Sequence, residues 1–255
     1  MIWAIGYARY AKVCHKKIEE TDAIFDQLAL LHQSARGDKT TLRISIDAKA
    51  TVKVGPFSRY GQSRVMVNAV DHDFKAQESL TPFGIFLPDE DEVYVYFAPA
   101  GLTADFIVDC LEDFWRQVRT SFPTVTTLLM NLDNGPENHS RRTQFMGRLV
   151  SFADTFGLIL QLAYYPPYHS KYNPIERVWG VLEQHWNGTL LDTRQTVLRL
   201  ASTMTYNGFS PIVKFINRAY QTGVRLSQAA MSILESRLDR LPLLGKWFVR
   251  IVPRR

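Results

Sequence analysis

The 255-residue chain carries 46% hydrophobic and 22% charged side chains, the balance of a globular protein able to bury a sizeable core. Its 30 basic and 25 acidic residues leave a net charge of +5, which permits a polyanionic partner without requiring one. Cys14 and Cys110 exclude a disulfide framework, and no apolar run approaches the ~20 residues of a membrane span, so a cytoplasmic protein with no membrane partner is expected.

In chain order, the first element is a helix over residues 21–34, with Ile24, Leu28 and Leu31 on one face and Thr21 or Asp22 as cap. After a polar link, Leu42, Ile44 and Ile46 alternate with Arg43, Ser45 and Asp47, the period of two of a strand. Strand-like text recurs over 63–70, 83–87 and 93–97 with turn residues between, which predicts an antiparallel meander. A helix over 103–119 then gathers Phe106, Ile107, Cys110, Leu111, Phe114 and Val118 on one broad face.

Residues 125–132 read as a buried strand delivering Asp133 to its carboxyl end. A helix over 140–156 follows, with Gly157 as its C-terminal cap, and then an apolar strand over 158–164 stopped by Pro166 and Pro167. A further helix opens at Asn173; helices near 192–205 and 226–238 and a strand over 246–252 complete the chain. Short crossovers between the later strands favour parallel pairing under covering helices.

Three acids stand where such a sheet collects functional groups. Asp47 and Asp133 end strands, and Glu176 lies in the first turn of the helix after the last apolar strand. Hard divalent cations prefer oxygen ligands, and clustered carboxylates supply them. Each acid also has a local reading without chemistry. Asp47 suits a solvated strand end, Asp133-Asn134-Gly135 suits a turn with positive φ, and Asn173-Pro174-Ile175-Glu176 suits a capped helix start with Asn as N-cap. Trp179 reads as core.

The segment Tyr165-Pro-Pro-Tyr-His-Ser-Lys-Tyr-Asn-Pro-Ile-Glu-Arg-Val-Trp179 resembles the third-acid motif of mariner-like and bacterial insertion-sequence transposases of the DDE type. Asn131-Leu-Asp-Asn-Gly-Pro-Glu-Asn138 is similar to their second-acid motif, and residues 44–59 to the first-acid strand of one insertion-sequence group. The resemblance spans residues 16–255. It implies an α/β, ribonuclease-H-like fold with a mixed five-stranded sheet flanked by helices and a helical C-terminal extension. Its expected divisions are a helical lead-in over 1–40, a catalytic domain over 41–190 and the extension over 191–255.

The same resemblance implies two magnesium or manganese ions held by Asp47, Asp133 and Glu176, with Asn134, Gly135, Asn173 and Pro174 supporting the site. It implies DNA cleavage followed by strand transfer, with transposon ends and target as DNA partners and a homodimer or a full-length transposase as protein partner. Members of the family carry an N-terminal helix-turn-helix region, whereas some 40 residues with one helix precede Asp47 here, so a truncated copy is expected. The alternatives are a silent DNA-binding or transposase-pairing fragment and a general nuclease of the same fold.

Basic residues flank each acid: Lys49, Lys53, Arg59 and Arg64 the first, Arg141 and Arg142 the second, and His169, Lys171 and Arg177 the third. A phosphate backbone needs such neighbours, while a solvated surface charge is the alternative for each. Arg141 and Arg142 would oppose the dipole of a helix beginning near Ser140, a conflict that a nearby anion removes.

Overall fold

A computed structural model describes residues 17–57, 66, 68, 69, 76, 78–99 and 101–254. The strand expected over 63–70 therefore falls largely outside the described residues, as do Arg59 and Arg64.

Helix α1 (Thr21–Ala35) leads into β1 (Thr41–Ala48) and the short β2 (Val52–Val54); β3 (Glu78–Leu87) and β4 (Glu92–Ala98) form a hairpin. Helix α2 (Ala104–Val118), β5 (Thr127–Leu132), α3 (Thr143–Phe156) and β6 (Ile159–Tyr164) follow. A 3-10 turn (Ser170–Tyr172) introduces α4 (Ile175–Trp186), then α5 (Arg194–Thr203), β7 (Ile212–Phe215), α6 (Gln228–Glu235), β8 (Leu238–Arg240) and β9 (Phe248–Ile251).

The strands form one mixed sheet in the order β7-β4-β3-β1-β5-β6-β9-β8, with β2 paired to β3. Pairing is antiparallel through β4-β3-β1 and parallel through β1-β5-β6, as the hairpin and the helical crossovers require. Among the described residues the sheet has nine strands where five were expected. Strands β2 and β8 have three residues each, and β7 is a partly exposed edge strand. Segments so short or so lightly buried leave no legible alternation.

Strand β1 shows how the sheet sorts its side chains. Ile44 and Ile46 join the core built with α2 and α3, where Phe83 meets Phe106 and Tyr94 meets Phe114 edge to face. A second cluster covers the opposite face: Val93, Val95 and Phe97 lie under Ile175, Val178, Trp179 and Leu182 of α4 and Val197 of α5. Ser45 and Asp47, alternating with the isoleucines, point to this second side.

Several expected helix boundaries differ; the helix expected from 140, for example, starts at Thr143. The cap expected at Thr21 or Asp22 is not made; Glu20 occupies the N-cap position without a side-chain bond, and Thr21 Oγ1 instead accepts from Ile18 N–H at 3.0 Å. The helix expected to continue to residue 238 stops at Glu235, because Leu238 is taken into β8 against β9.

Candidate active site

Strands β1 and β5 are parallel neighbours with Ser45 opposite Asn131; continued by two residues, that register sets Asp47 level with Asp133. Asp133 stands one residue beyond β5. The third acid, Glu176, arrives with α4, and the way this helix is fixed explains how it comes near Asp47.

The expectation that Asn173 caps α4 is overturned. Pro174 occupies the N-cap position, with no side-chain cap bond. The Asn173 side chain turns instead to β1: its Nδ2 donates to the Ile46 carbonyl at 3.0 Å and its Oδ1 accepts from Ser45 Oγ at 2.6 Å. Ser45 Oγ in turn accepts from Ile175 N–H at 3.0 Å, so a strand serine satisfies the open amide of the helix. Ser45 and Asn173 are fully buried. The start of α4 is thereby bolted to the strand that carries Asp47. The half-buried side chain of Glu176 makes no hydrogen bond or ion pair among the described residues, so its carboxylate is not spent on the expected cap.

Replacing Asn173 by Leu strands the Ile46 carbonyl and one bond of Ser45 in the interior. The expected cost is about 3 kcal/mol, each unsatisfied buried group contributing about 1–3 kcal/mol. Urea unfolding checks this, and an unchanged midpoint would refute the bolt.

Gly84 makes the same approach possible from β3. It pairs with Asp47, and a Cβ there would lie 2.5 Å from Ile175 Cδ1 and 2.6 Å from Trp179 Cη2. Both atoms belong to packed α4 side chains, so Gly84→Val must push the helix off the sheet. An overpacking penalty of about 1–3 kcal/mol is expected; thermal melts test it, and a variant with the wild-type Tm would exclude this role.

Asp47 is 6% exposed, and its Oδ2 accepts from Trp179 Nε1 at 3.1 Å. Burial pushes its pKa up to about 8, and the charges of Asp133 and Glu176 push in the same direction. Asp47 therefore lies within electrostatic reach of both other acids. Asp133 is half-buried and accepts from Asn138 Nδ2 at 2.8 Å. Neither Asn134 nor Gly135 has positive φ, contrary to the turn reading. Gly135 serves by lacking a side chain: a Cβ there would sit 3.0 Å from Asn138 Oδ1 and 3.2 Å from Asp133 Oδ2.

The donor set is anionic and all oxygen, which suits a hard divalent cation, and a cation would offset the burial and the neighbouring charges that together raise the Asp47 pKa. Among the described residues, however, no three Asp, Glu, His or Cys side chains are gathered closely enough to hold a metal ion as they stand.

The basic residues divide. Lys49 pairs with Glu183 of α4 at 2.7 Å. Arg142, at the N-cap of α3, pairs with Glu137 at 3.0 Å, so the anion sought for this helix start is internal. His169, expected beside DNA, is 5% exposed and packs edge-on to Phe25 of α1 at 5.5 Å, with its Nδ1 against the Pro167 carbonyl at 2.8 Å; it shapes the turn. Lys53, Arg141, Lys171 and Arg177 are exposed.

Sequence reasoning missed Ser45, Gly84, Trp179 and Asn138 as site-building residues. A serine inside an isoleucine strand was the available signal.

The model of the Rhodopirellula transposase DDE domain matches residues 7–253. Among proteins of curated function, none matches the sequence. Solved structures similar in fold include the Mos1 transposase paired-end complex with left transposon end (TM-score 0.51, 13% identity) and a pre-cleavage Mos1 transpososome (TM-score 0.51, 12% identity). Each covers 76% of this chain, which spans 58% of the Mos1 chain. The nine-stranded sheet thus has the ribonuclease-H-like centre that was expected, extended at both edges. The chain belongs to the Rhodopirellula transposase DDE domain family.

Proposed function

We propose that this chain is the catalytic domain of a metal-dependent polynucleotidyl transferase that cleaves DNA and joins the freed strand to a target, as a DDE transposase does. The observation that supports the reading is that Asp133, level with Asp47 on a parallel strand end, and Glu176, at a helix start, both lie within electrostatic reach of buried Asp47. Family membership supplies the class of reaction.

Asp47, Asp133 and Glu176 are the residues that would hold divalent cations. When bound, such ions activate an attacking hydroxyl and stabilise the leaving oxygen of an in-line displacement. Loading requires the carboxylates to draw inward; that of Glu176, with no hydrogen bond or ion pair among the described residues, is the one least restrained. Trp179 steadies one oxygen of Asp47, and Asn138 steadies one oxygen of Asp133. The exposed Lys53, Arg141, Lys171 and Arg177 supply cationic surface for a phosphate backbone, with affinity falling steeply as salt rises.

Incubation with supercoiled plasmid and a labelled oligonucleotide, with and without manganese, tests the reading. Metal-dependent nicks and joined products are expected. Nicks without joining would reduce the activity to that of a nuclease, and no nicking would leave a DNA-binding fragment.

A further inference from the structure

The strand registers draw a row of residues across one end of the sheet. Asp133 lies level with Asp47; carried past the strand ends in the same way, β5 and β6 set Tyr165 level with Asp133, and β6 and β9 set Lys246 level with Tyr165. The turn between β8 and β9 therefore stands at the same sheet end as the acids, two strand spacings, ~10 Å, from Asp133. It is clamped there. Ser140 Oγ donates to the Lys246 carbonyl at 2.8 Å, and Arg240 donates to the Gly245 carbonyl at 2.9 Å and to the Ser140 carbonyl at 3.0 Å. At the tip, Leu244 N–H donates to the Leu241 carbonyl at 3.1 Å, with Pro242 in the second place and Leu243 in the third, at φ 65°. A turn of this kind prefers glycine or asparagine in its third place. Leucine is strained there and gains no packing: its side chain is 99% exposed, while Leu241 and Leu244 on either side pack against the main core.

The charge around the tip names its partner. Residues 240–255 carry five basic side chains and no acidic one. Lys246 and Arg250 are exposed, as is Arg141 on the loop that Ser140 ties to the turn. A polyanion with an apolar interior suits both the cations and the leucine. A DNA duplex is one: its phosphates meet the cations, and its stacked bases admit an apolar wedge that opens a step. We infer that Leu243 is such a wedge, entering a base step of the duplex whose phosphate is presented to Asp47 and Asp133, and bending that duplex at the site. The inference rests on the reading of the chain as a DNA-processing enzyme and adds to it the part that deforms the DNA.

Anisotropy titrations in EDTA, where no cleavage occurs, compare a fully paired duplex with the same duplex carrying one central cytosine–cytosine mismatch; the phosphate charge is identical. A mismatched step opens more readily, so wild type should bind that duplex about tenfold more tightly. A fluorescent adenine analogue beside the mismatch, quenched while stacked, should brighten on binding. Leu243→Met should keep both signals. Leu243→Gly should lose both, yet retain the wild-type slope of affinity against salt, because the cations are untouched. No preference in the wild type, or a preference that survives in Leu243→Gly, would overturn the wedge. So would a sedimentation coefficient that falls on this substitution in the absence of DNA, which would make Leu243 a contact between protein chains. Nicking with manganese is scored separately: its absence with the preference intact refutes the catalytic reading and leaves the wedge standing, and nicking without the preference does the reverse.

Discussion

Asp133→Asn is expected to remove metal-dependent nicking, by about a thousandfold or more, while leaving the fold almost untouched. A cation at a phosphoryl centre contributes several kcal/mol of transition-state stabilisation, and each 1.36 kcal/mol is about tenfold in rate. The substitution keeps the shape of the side chain but takes away the charge that a cation needs. Its amide oxygen can still accept from Asn138 Nδ2, and Gly135 still leaves the space that both side chains use. Because that bond to buried Asn138 is kept and Asp133 itself is only half-buried, unfolding should shift by within about 0.5 kcal/mol. Paired measurements of nicking and of the urea midpoint decide the matter. A variant that nicks like wild type, or that loses activity only because it unfolds, would remove Asp133 from the chemistry.

The sheet's centre was legible because long buried strands and amphipathic helices write their period into the sequence. The helix over 103–119, with its broad apolar face, differs from α2 by a single residue at each end. What stayed illegible depends on partners far along the chain. Asn173 looked like a cap because Asn-Pro is good local capping chemistry, but tertiary contact with Ser45 and Ile46 took its amide. Gly84 carries no local sign of its role; only the arrival of α4 makes it a requirement. Arg142 invited a phosphate because Glu137, five residues earlier, gave no sign of folding back to meet it. The edge strands were too short to leave a pattern. For the three acids, order along the chain and position at strand ends were visible, whereas burial of Asp47 alone, with its companions more open, was not.

That burial makes the same chemical change at Asp47 act in the opposite sense. Folding raises the Asp47 pKa from an ordinary 3.8 to about 8, through desolvation first and then through Asp133 and Glu176. The folded state therefore holds a proton that the unfolded chain gives up. Below pH 4 both states are protonated and this contribution to stability is fully present. As pH climbs through 4 to 8 the unfolded chain ionises and the folded one does not, so stability falls, and above 8 the fold carries an ionised buried carboxylate. At about 1.4 kcal/mol per pKa unit, the loss is on the order of a few kcal/mol. Asp47→Asn cannot ionise, and its amide oxygen can still accept from Trp179 Nε1. The chelated variant should therefore be more stable than chelated wild type at pH 9, by a few kcal/mol on the same scale, with the slope between pH 4 and 8 much reduced. Divalent cation reverses the order: it displaces the proton from wild type, binds more tightly as pH rises toward 8, and stabilises wild type alone. Urea midpoints with EDTA and with manganese across this range test both halves. Equal stability of the two proteins at pH 9 in EDTA would show that Asp47 is not the strained, proton-holding member of the trio.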